Sequence, residues 1–299
     1  MECFDLKSVL CLTTNCNMNC EYCIDNNIPD NREMSIEVFY DVMSYFGSFF
    51  HKSKTPLLIT GGEPLSCSNI HLMLEYLNHH NFYYTIFTNG LLLDGNILEH
   101  LCKEQCKGVR YSCHFLNKAR SEEEFRNGLR FLTNKIIFLK SKNIQISLNL
   151  ILTYYIAKGL PQIINLVNKF SLGLKLQPFV NSKGSIDLKG IDLNKVLYDY
   201  SKIWFSKSVI SYLPYTDYNR MTTFLNRYIE IEDISPNKNN CSNVPIVFIN
   251  PNGTFSPCVY RRDICYNMKI NQYFDFQNYI ISTKEDLNND CYTTKCIVV

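Results

Sequence analysis

The sequence lacks the features that mark membrane, secreted and nucleic-acid-binding proteins. No apolar run approaches the ~20 residues that span a bilayer, and the first residues lack the basic-then-apolar layout of a signal peptide. Lys plus Arg (30) nearly balance Asp plus Glu (28), which leaves a net charge of +2 and no strong attraction to nucleic acid or anionic lipid. The sequence also contains no internal repeat. These absences predict a cytoplasmic globular protein with neither a nucleic-acid partner nor a membrane partner.

Cysteine is what the sequence has in excess, with 14 among 299 residues. In an exported protein this density would indicate disulfide bonds. Without a secretion signal, thiols this frequent more often bind metal or do redox chemistry. The spacing of the cysteines therefore decides between these functions.

Apolar β-branched segments alternate with segments of helical period over residues 1–207. Six β-then-α units are predicted, and repeated units of this kind imply parallel strands joined by crossover helices. Six units are too few to close an eight-stranded barrel, so the expected fold is an α/β, partial (β/α)6 TIM-like barrel. The predicted strands cover 7–14, 56–60, 83–88, 109–113, 144–153 and 174–179, and the predicted helices cover 35–50, 68–79, 94–105, 121–142, 161–170 and 192–206.

The pattern changes beyond residue 207. Residues 208–240 are irregular, and their last six (Ser-Pro-Asn-Lys-Asn-Asn) are typical of a linker. Residues 241–299 hold five cysteines, little helical periodicity and a Pro251-Asn252-Gly253 turn that predicts a β-hairpin. We therefore expect a barrel over 1–207, a bridging segment over 208–240 and a small metal-held module over 241–299.

Cys16, Cys20 and Cys23 form a C-x3-C-x2-C cluster directly after the first predicted strand. Three thiolates on one loop can bind three irons of a [4Fe–4S] cluster, which normally takes four cysteines, and so leave one iron open for another ligand. The loop also follows the C-terminal end of a strand, where barrel active sites lie. The alternatives are accidental clustering and a zinc knuckle completed by a fourth ligand such as His51 or Asp25.

The cluster, with Tyr22 before its last cysteine, resembles the signature of the radical S-adenosylmethionine (SAM) superfamily. The segment Gly61-Gly62-Glu63-Pro64, which follows the second predicted strand, is similar to the GGEP motif of that family. Glycines allow the backbone to approach a ligand closely, and a carboxylate can accept an ammonium group. The resemblance implies that this segment holds the methionyl amino group of SAM.

Three weaker similarities follow along the strands. Thr88 and Asn89 end the third strand in a Thr-Asn-Gly triplet, Ser112 lies near the end of the fourth strand, and Asn149 lies in the fifth. Alone, Ser112 and Asn149 are more typical of ordinary polar strand residues, and only the other motifs make a contact with SAM equally expected. The resemblance covers residues 7–180 and implies that these side chains contact SAM. It also implies the chemistry, in which the reduced cluster cleaves SAM to a 5′-deoxyadenosyl radical that takes a hydrogen atom from the substrate.

The C-terminal cysteines resemble the twitch and SPASM extensions of the same superfamily. Cys241 and Cys258 flank the predicted hairpin as C-x11-G-x4-C, and Cys291 and Cys296 lie near the end of the sequence as C-x4-C. The resemblance implies that these four thiols bind an auxiliary [4Fe–4S] cluster, with Cys265 as an exchangeable candidate and structural zinc as the alternative. The C-x4-C spacing departs from the C-x2-C that the family commonly has.

Relatives with such extensions often modify peptides or protein side chains. The expected substrate is therefore a peptide, such as a ribosomally made precursor peptide, and the expected electron donor is a flavodoxin or ferredoxin. The alternatives are a small-molecule radical SAM dehydrogenase and a non-catalytic iron–sulfur protein, although an electron carrier has no need of a SAM-binding motif. Cys67, Cys113 and His114 lie near predicted C-terminal strand ends, where either thiol could donate a hydrogen atom.

Overall fold

The computed structural model describes residues 7–21, 23, 32–53, 55–178, 190–204, 246–257, 265–268, 274–275 and 279, without the side chains of 200–204. Strands and helices alternate along this described part of the chain. The strands are β1 (Ser8–Cys11), β2 (Leu57–Thr60), β3 (Tyr84–Thr88), β4 (Cys106–Ser112), β5 (Ile146–Leu152), β6 (Gly173–Pro178), β7 (Val247–Ile249) and β8 (Phe255–Ser256). The helices are α1 (Ile36–Lys52), α2 (Ile70–His79), α3 (Gly95–Leu101), α4 (His114–Asn117), α5 (Glu122–Ser141), α6 (Tyr154–Phe170) and α7 (Leu193–Trp204).

The described residues fall into two compact units, and strand β4 is divided between them. The first unit, with residues from 1–19, 23–109 and 237–293, has the strand order β4-β3-β2-β1-β7-β8. The second unit, with residues from 20–22 and 110–236, has the order β6-β5-β4. The pairs β1–β2, β2–β3, β1–β7 and β5–β6 are parallel, and only the hairpin pair β7–β8 is antiparallel among the pairings described. This mostly parallel α/β sheet confirms the predicted fold class.

Side-chain caps begin three helices at the residues where their predicted ranges start. Ser35 accepts a hydrogen bond from Val38 N at 3.3 Å, which caps α1. The same contact recurs from Ile97 N to Asp94 Oδ1 at 2.9 Å and from Glu124 N to Ser121 Oγ at 3.1 Å. None of the helices in the described ranges combines the length and the apolar content that crossing a membrane requires.

The structure differs from the predicted elements in two helices between β4 and β6. Helix α6 begins at Tyr154, with Thr153 as its cap, whereas the prediction began it at Pro161. The buried Ile156 and Leu160 extend its apolar face toward the N-terminus and place the proline inside the helix. Helix α4 was not predicted, because four residues are too few to show a helical period.

The predicted C-terminal hairpin is present and packs in the first unit. Strand β7 pairs with β1 in parallel, and Gly253 occupies the hairpin turn at a φ of 82°. Phe255 of β8 meets Phe46 of α1 with ring centroids 5.1 Å apart, and Phe274 lies 4.7 Å from the same Phe46 ring. The domain boundaries at 207 and 240 lie outside the described residues and stay predictions.

Candidate functional site

The two glycines after β2 bring that strand against the cysteine loop, which we define as residues 12–23. Gly62 N donates to Thr13 O at 2.8 Å and Glu63 N donates to Asn15 O at 2.8 Å, so the pairing of β2 continues along the loop. A Cβ at Gly62 would lie 2.2 Å from Asn15 O, and a Cβ at Gly61 would lie 2.4 Å from Thr13 O. The close backbone approach expected of this motif is therefore made to the cysteine loop of the protein itself.

Glu63 is buried, with 1% of its surface exposed, and its carboxylate ties the ends of β2 and β3 together. Oε1 accepts from Thr88 Oγ1 at 2.8 Å and from Leu65 N at 3.1 Å, and Oε2 accepts from Asn89 N at 2.8 Å. Burial raises the pKa of Glu63, and these hydrogen bonds oppose that shift. Three of its about four acceptor positions are thus used internally. The expected contact with an ammonium group stays a prediction.

Asn89 connects the end of β3 to the cysteine loop. Its Nδ2 donates to Asn17 Oδ1 at 2.7 Å, and its Oδ1 accepts from Leu91 N at 3.0 Å. Asn17 lies between Cys16 and Cys20, inside the C-x3-C spacing. Asn17 was not predicted from the sequence, where its place inside the motif was the only signal for it.

The three cysteines of the loop differ in their surroundings. Cys16 is exposed, Cys23 is half-buried and Cys20 is only 5% exposed. The Cys20 Sγ lies 3.3 Å from Nδ1 of His114, the first residue of α4. Burial, followed by the charge of Lys118, lowers the pKa of His114 to about 4, so the imidazole is neutral near pH 7. Tyr22 lies outside the described residues.

Among the described residues, no three His, Cys, Asp or Glu side chains are placed to hold one metal ion. His51, one fourth ligand considered for a zinc knuckle, instead stacks on Phe82 with ring centroids 4.0 Å apart, and Asp25 lies outside the described residues. A [4Fe–4S] cluster needs no convergence on a single ion, because each thiolate binds a different iron. Three thiolates are the donor set that a [4Fe–4S] cluster with one open iron requires.

Strands β4, β5 and β6 have an apolar face and a polar face in the second unit. Leu148 and Leu150 are fully buried on one side of β5, a strand that α5 and α6 contact. Ser112 and Asn149, two of the predicted SAM contacts, are half-buried at the alternate positions. The buried Asn149 Oδ1 has no hydrogen-bond partner among the described groups. A buried acceptor in this state fits a site that binds a donor from a ligand.

Two cations on the polar face were not predicted from the sequence. Arg110 precedes Ser112 by two residues on β4, and Lys175 of β6 pairs with Asn149 of β5. The eight described strands contain no acidic residue. Arg110 and Lys175 are side chains of the kind that can bind a carboxylate. Reading β4 two residues back from Ser112 would have found Arg110, since alternate strand residues share a face.

The remaining candidate cysteines are only partly described. Cys265 is exposed beside the hairpin turn, with its Sγ 3.9 Å from Asn250 Nδ2. Burial raises the pKa of Cys67 to about 11 and also raises the pKa of Cys113, so both are protonated thiols near neutral pH. The other predicted ligands of an auxiliary cluster lie outside the described residues; they are Cys241, Cys258, Cys291 and Cys296.

Comparison with known sequences finds a family that matches the segment carrying the cysteine loop. Residues 10–139 match the model of the radical SAM superfamily. An uncharacterized protein of Methanocaldococcus jannaschii is 33% identical over 98 residues, which cover 31% of this chain and 33% of that protein. The match therefore spans about a third of the length of this curated relative.

Solved structures share the fold at low sequence identity. SuiB of Streptococcus suis bound to S-adenosylmethionine superposes with a TM-score of 0.61 at 16% identity, covering 99% of this chain and 68% of that chain. SuiB bound to its precursor peptide SuiA superposes with a TM-score of 0.61 at 14% identity, covering 89% of this chain and 62% of that chain. Histidine-tagged anSMEcpe with bound AdoMet superposes with a TM-score of 0.64 at 16% identity, covering 96% of this chain and 84% of that chain. The C-x3-C-x2-C loop and the Gly-Gly-Glu-Pro segment both lie within residues 10–139, the part of this chain that matches the radical SAM superfamily.

Proposed function

We propose that this chain is a radical SAM enzyme that reductively cleaves SAM and removes a hydrogen atom from a peptide or protein side chain. The observation that carries the proposal is the attachment of the cysteine loop to two neighbouring strands. Gly62 and Glu63 bind the loop from β2, and Asn89 binds it from β3. A loop fixed in this way holds its thiols in a preorganised position, which a catalytic cofactor site requires.

The predicted site residues fit the cofactors of the radical SAM superfamily. The three cysteines of the loop would hold three irons of a [4Fe–4S] cluster and leave one iron for SAM. Tyr22, the 61–64 segment, Thr88 and Asn89 would line or position the SAM site, and Ser112 and Asn149 would contact SAM. Arg110 and Lys175 would suit its carboxylate. When bound, the cluster and SAM supply one-electron cleavage of a C–S bond and a hydrogen-atom acceptor.

In this reaction the protein would bind and orient the cofactors and the substrate, and would exclude water. Glu63 holds the ends of β2 and β3 in register from a buried position, so it positions the surrounding loops. The protonated Cys113 thiol donates to Tyr111 O at 3.5 Å, which keeps this thiol engaged within β4. Because that sulfur is buried, any hydrogen-atom transfer from it would require the substrate to displace this contact.

A peptide or protein is the proposed substrate class, with a flavodoxin or ferredoxin as the electron donor. SuiB has been solved with a precursor peptide bound, and its structure is similar to this chain over 89% of our residues. We infer that this chain takes a substrate of the same class, such as a ribosomally made precursor peptide. Stimulation of SAM cleavage by a small alcohol, and by no peptide, would instead favour a small-molecule dehydrogenase.

We also propose an auxiliary [4Fe–4S] cluster on Cys241, Cys258, Cys291 and Cys296, with Cys265 as the exchangeable ligand. Cys265 supports this proposal because it is exposed beside the hairpin that Cys241 and Cys258 flank in the sequence. The wild type should then bind about eight irons per chain and the Cys241→Ala/Cys258→Ala variant about four. An iron content near four in both proteins would contradict this part of the proposal, and zinc in its place would identify a structural site.

The main test is anaerobic reconstitution with iron and sulfide, followed by dithionite and SAM. We expect 5′-deoxyadenosine from the wild type, detected by mass spectrometry, and none from the Cys16→Ala/Cys20→Ala/Cys23→Ala variant. Cys102→Ala is the matched control, because Cys102 is an exposed thiol at the end of α3. Full iron content and continued SAM cleavage in the triple variant would overturn the proposed function.

A further inference from the structure

Cys20 and His114 are 94 residues apart in the sequence, yet their side chains are in contact. The distance of 3.3 Å between Cys20 Sγ and His114 Nδ1 is that of a nitrogen–sulfur hydrogen bond. The sulfur is nearly inaccessible to solvent, because Cys20 is only 5% exposed. Water therefore competes weakly with the imidazole for this sulfur, and the contact is electrostatically stronger than it would be at the surface.

His114 reaches Cys20 from a turn that is fixed to β5. Cys113 N, just before His114, donates to Asn149 O at 3.1 Å. Asn117, at the other end of α4, accepts from Ile151 N at 3.0 Å through its side-chain oxygen. Two hydrogen bonds to one strand, on either side of His114, fix the backbone of this turn beside β5. The contact is therefore a property of the fold, as a designed positioning residue requires.

The chemistry of a metal-bound thiolate decides the direction of this hydrogen bond. A thiol can donate or accept, but a thiolate bound to iron carries no proton and can only accept. With Cys20 as a ligand, the proton must therefore lie on Nδ1 of His114. A donor next to the sulfur stabilises the reduced and more negative cluster more than the oxidised one. Hydrogen bonds to the sulfurs are among the factors that set the potentials of iron–sulfur clusters.

We infer that His114 donates a hydrogen bond from Nδ1 to the Cys20 thiolate and thereby raises the reduction potential of the loop cluster. The inference rests on the proposed function, since Cys20 is a ligand only if the loop binds the cluster. His114 is then a positioning residue, which acts on the cluster through Cys20 and makes its reduction by the electron donor easier. If His114 served only in packing, the reduction potential of the loop cluster would not depend on an N–H donor at this position.

Three variants of the full chain separate these roles. His114→Leu removes the donor, and His114→Asn keeps an N–H near the position of Nδ1. His79→Leu is the control, because His79 is an exposed histidine at the end of α2. Each protein is reconstituted anaerobically, its iron and sulfide are measured, and the loop cluster is titrated by electron paramagnetic resonance. The loop signal is identified as the one that the triple cysteine variant lacks.

We expect His114→Leu to load the cluster with a midpoint potential more negative than that of the wild type. The potentials of His114→Asn and His79→Leu should stay close to the wild-type value. Loss of iron in His114→Leu that His114→Asn restores would also support a donor role. A fully loaded His114→Leu protein with the wild-type potential would overturn the inference, as would equal shifts in the Leu and Asn variants.

The same samples separate this inference from the proposed function. A wild-type protein that binds no loop cluster would overturn both. A wild-type protein that binds the cluster and cleaves SAM, together with an unchanged potential in His114→Leu, would overturn only the role of His114.

Discussion

Alanine in place of Gly62 tests whether β2 and the cysteine loop are packed backbone against backbone. The added Cβ would lie 2.2 Å from Asn15 O, 2.6 Å from Asn15 C and 2.7 Å from Thr14 O. All three distances are shorter than 3.0 Å, and real Cβ atoms essentially never lie that close to another heavy atom. Because the atoms belong to the backbone, they cannot turn aside as the end of a flexible side chain would. The loop itself must move.

The size of the effect follows from this displacement. Relief of the contact requires a shift of about 1.2 Å, the difference between 2.2 Å and the 3.4 Å at which ordinary contact begins. Such a shift breaks the bonds from Gly62 N to Thr13 O and from Glu63 N to Asn15 O, each now 2.8 Å. Two lost hydrogen bonds at about 0.5–1.5 kcal/mol each, with about 1–3 kcal/mol of strain, predict a loss of about 2–6 kcal/mol.

The assay is urea denaturation of the apo-protein, followed by measurement of iron uptake on reconstitution. Gly95→Ala is the matched control: Gly95 is the first residue of α3, and its added Cβ meets nothing within 4 Å. That control should be neutral or slightly stabilising, because alanine favours the helix more than glycine does. Gly62→Ala should lose both stability and iron uptake. Stability and iron content equal to those of Gly95→Ala would refute the reasoning.

Three further predictions concern the surrounding side chains. Burial raises the pKa of Glu63 above 4.5, so the folded state binds a proton on Glu63 more tightly than the unfolded state does. The unfolding free energy of the wild type should therefore fall as the pH rises above 4.5, and Glu63→Gln should lack this loss. A difference in unfolding free energy that grows in favour of the wild type as the pH rises would contradict this prediction. Asn89→Ala and Asn17→Ala should each lower the free energy of unfolding by about 1 kcal/mol, and the two effects should be coupled in a double-mutant cycle, because one hydrogen bond of 2.7 Å joins the two side chains. Strictly additive effects would argue against this hydrogen bond. Lys175→Met should weaken SAM binding, measured by calorimetry, about tenfold, or about 1.4 kcal/mol, because the SAM carboxylate loses a cation. An unchanged Kd would show that Lys175 does not bind the carboxylate.

Local signals in the sequence were sufficient for most elements of the fold. The helices predicted to begin at 35, 94 and 121 are present as α1, α3 and α5. Ser35, Asp94 and Ser121 cap them, and a cap requires only a side-chain oxygen three residues before a backbone N–H. The turn at Gly253 identified the hairpin for the same reason, since a two-strand turn is specified by adjacent residues. The start of α6 was wrong because Pro161 is a local signal that the buried apolar face overrides.

Residue types and spacing by themselves determined the resemblance to radical SAM enzymes, the cysteine loop and the expected cofactors. Only the tertiary structure decided what these residues touch. It showed that the glycines after β2 pack against the cysteine loop, that Glu63 binds the end of β3, and that Cys20 meets His114. The physical reason is that spacing along the chain records which groups share a loop or a face. Contacts between segments up to 94 residues apart depend on the order of the strands, which no short stretch of sequence contains.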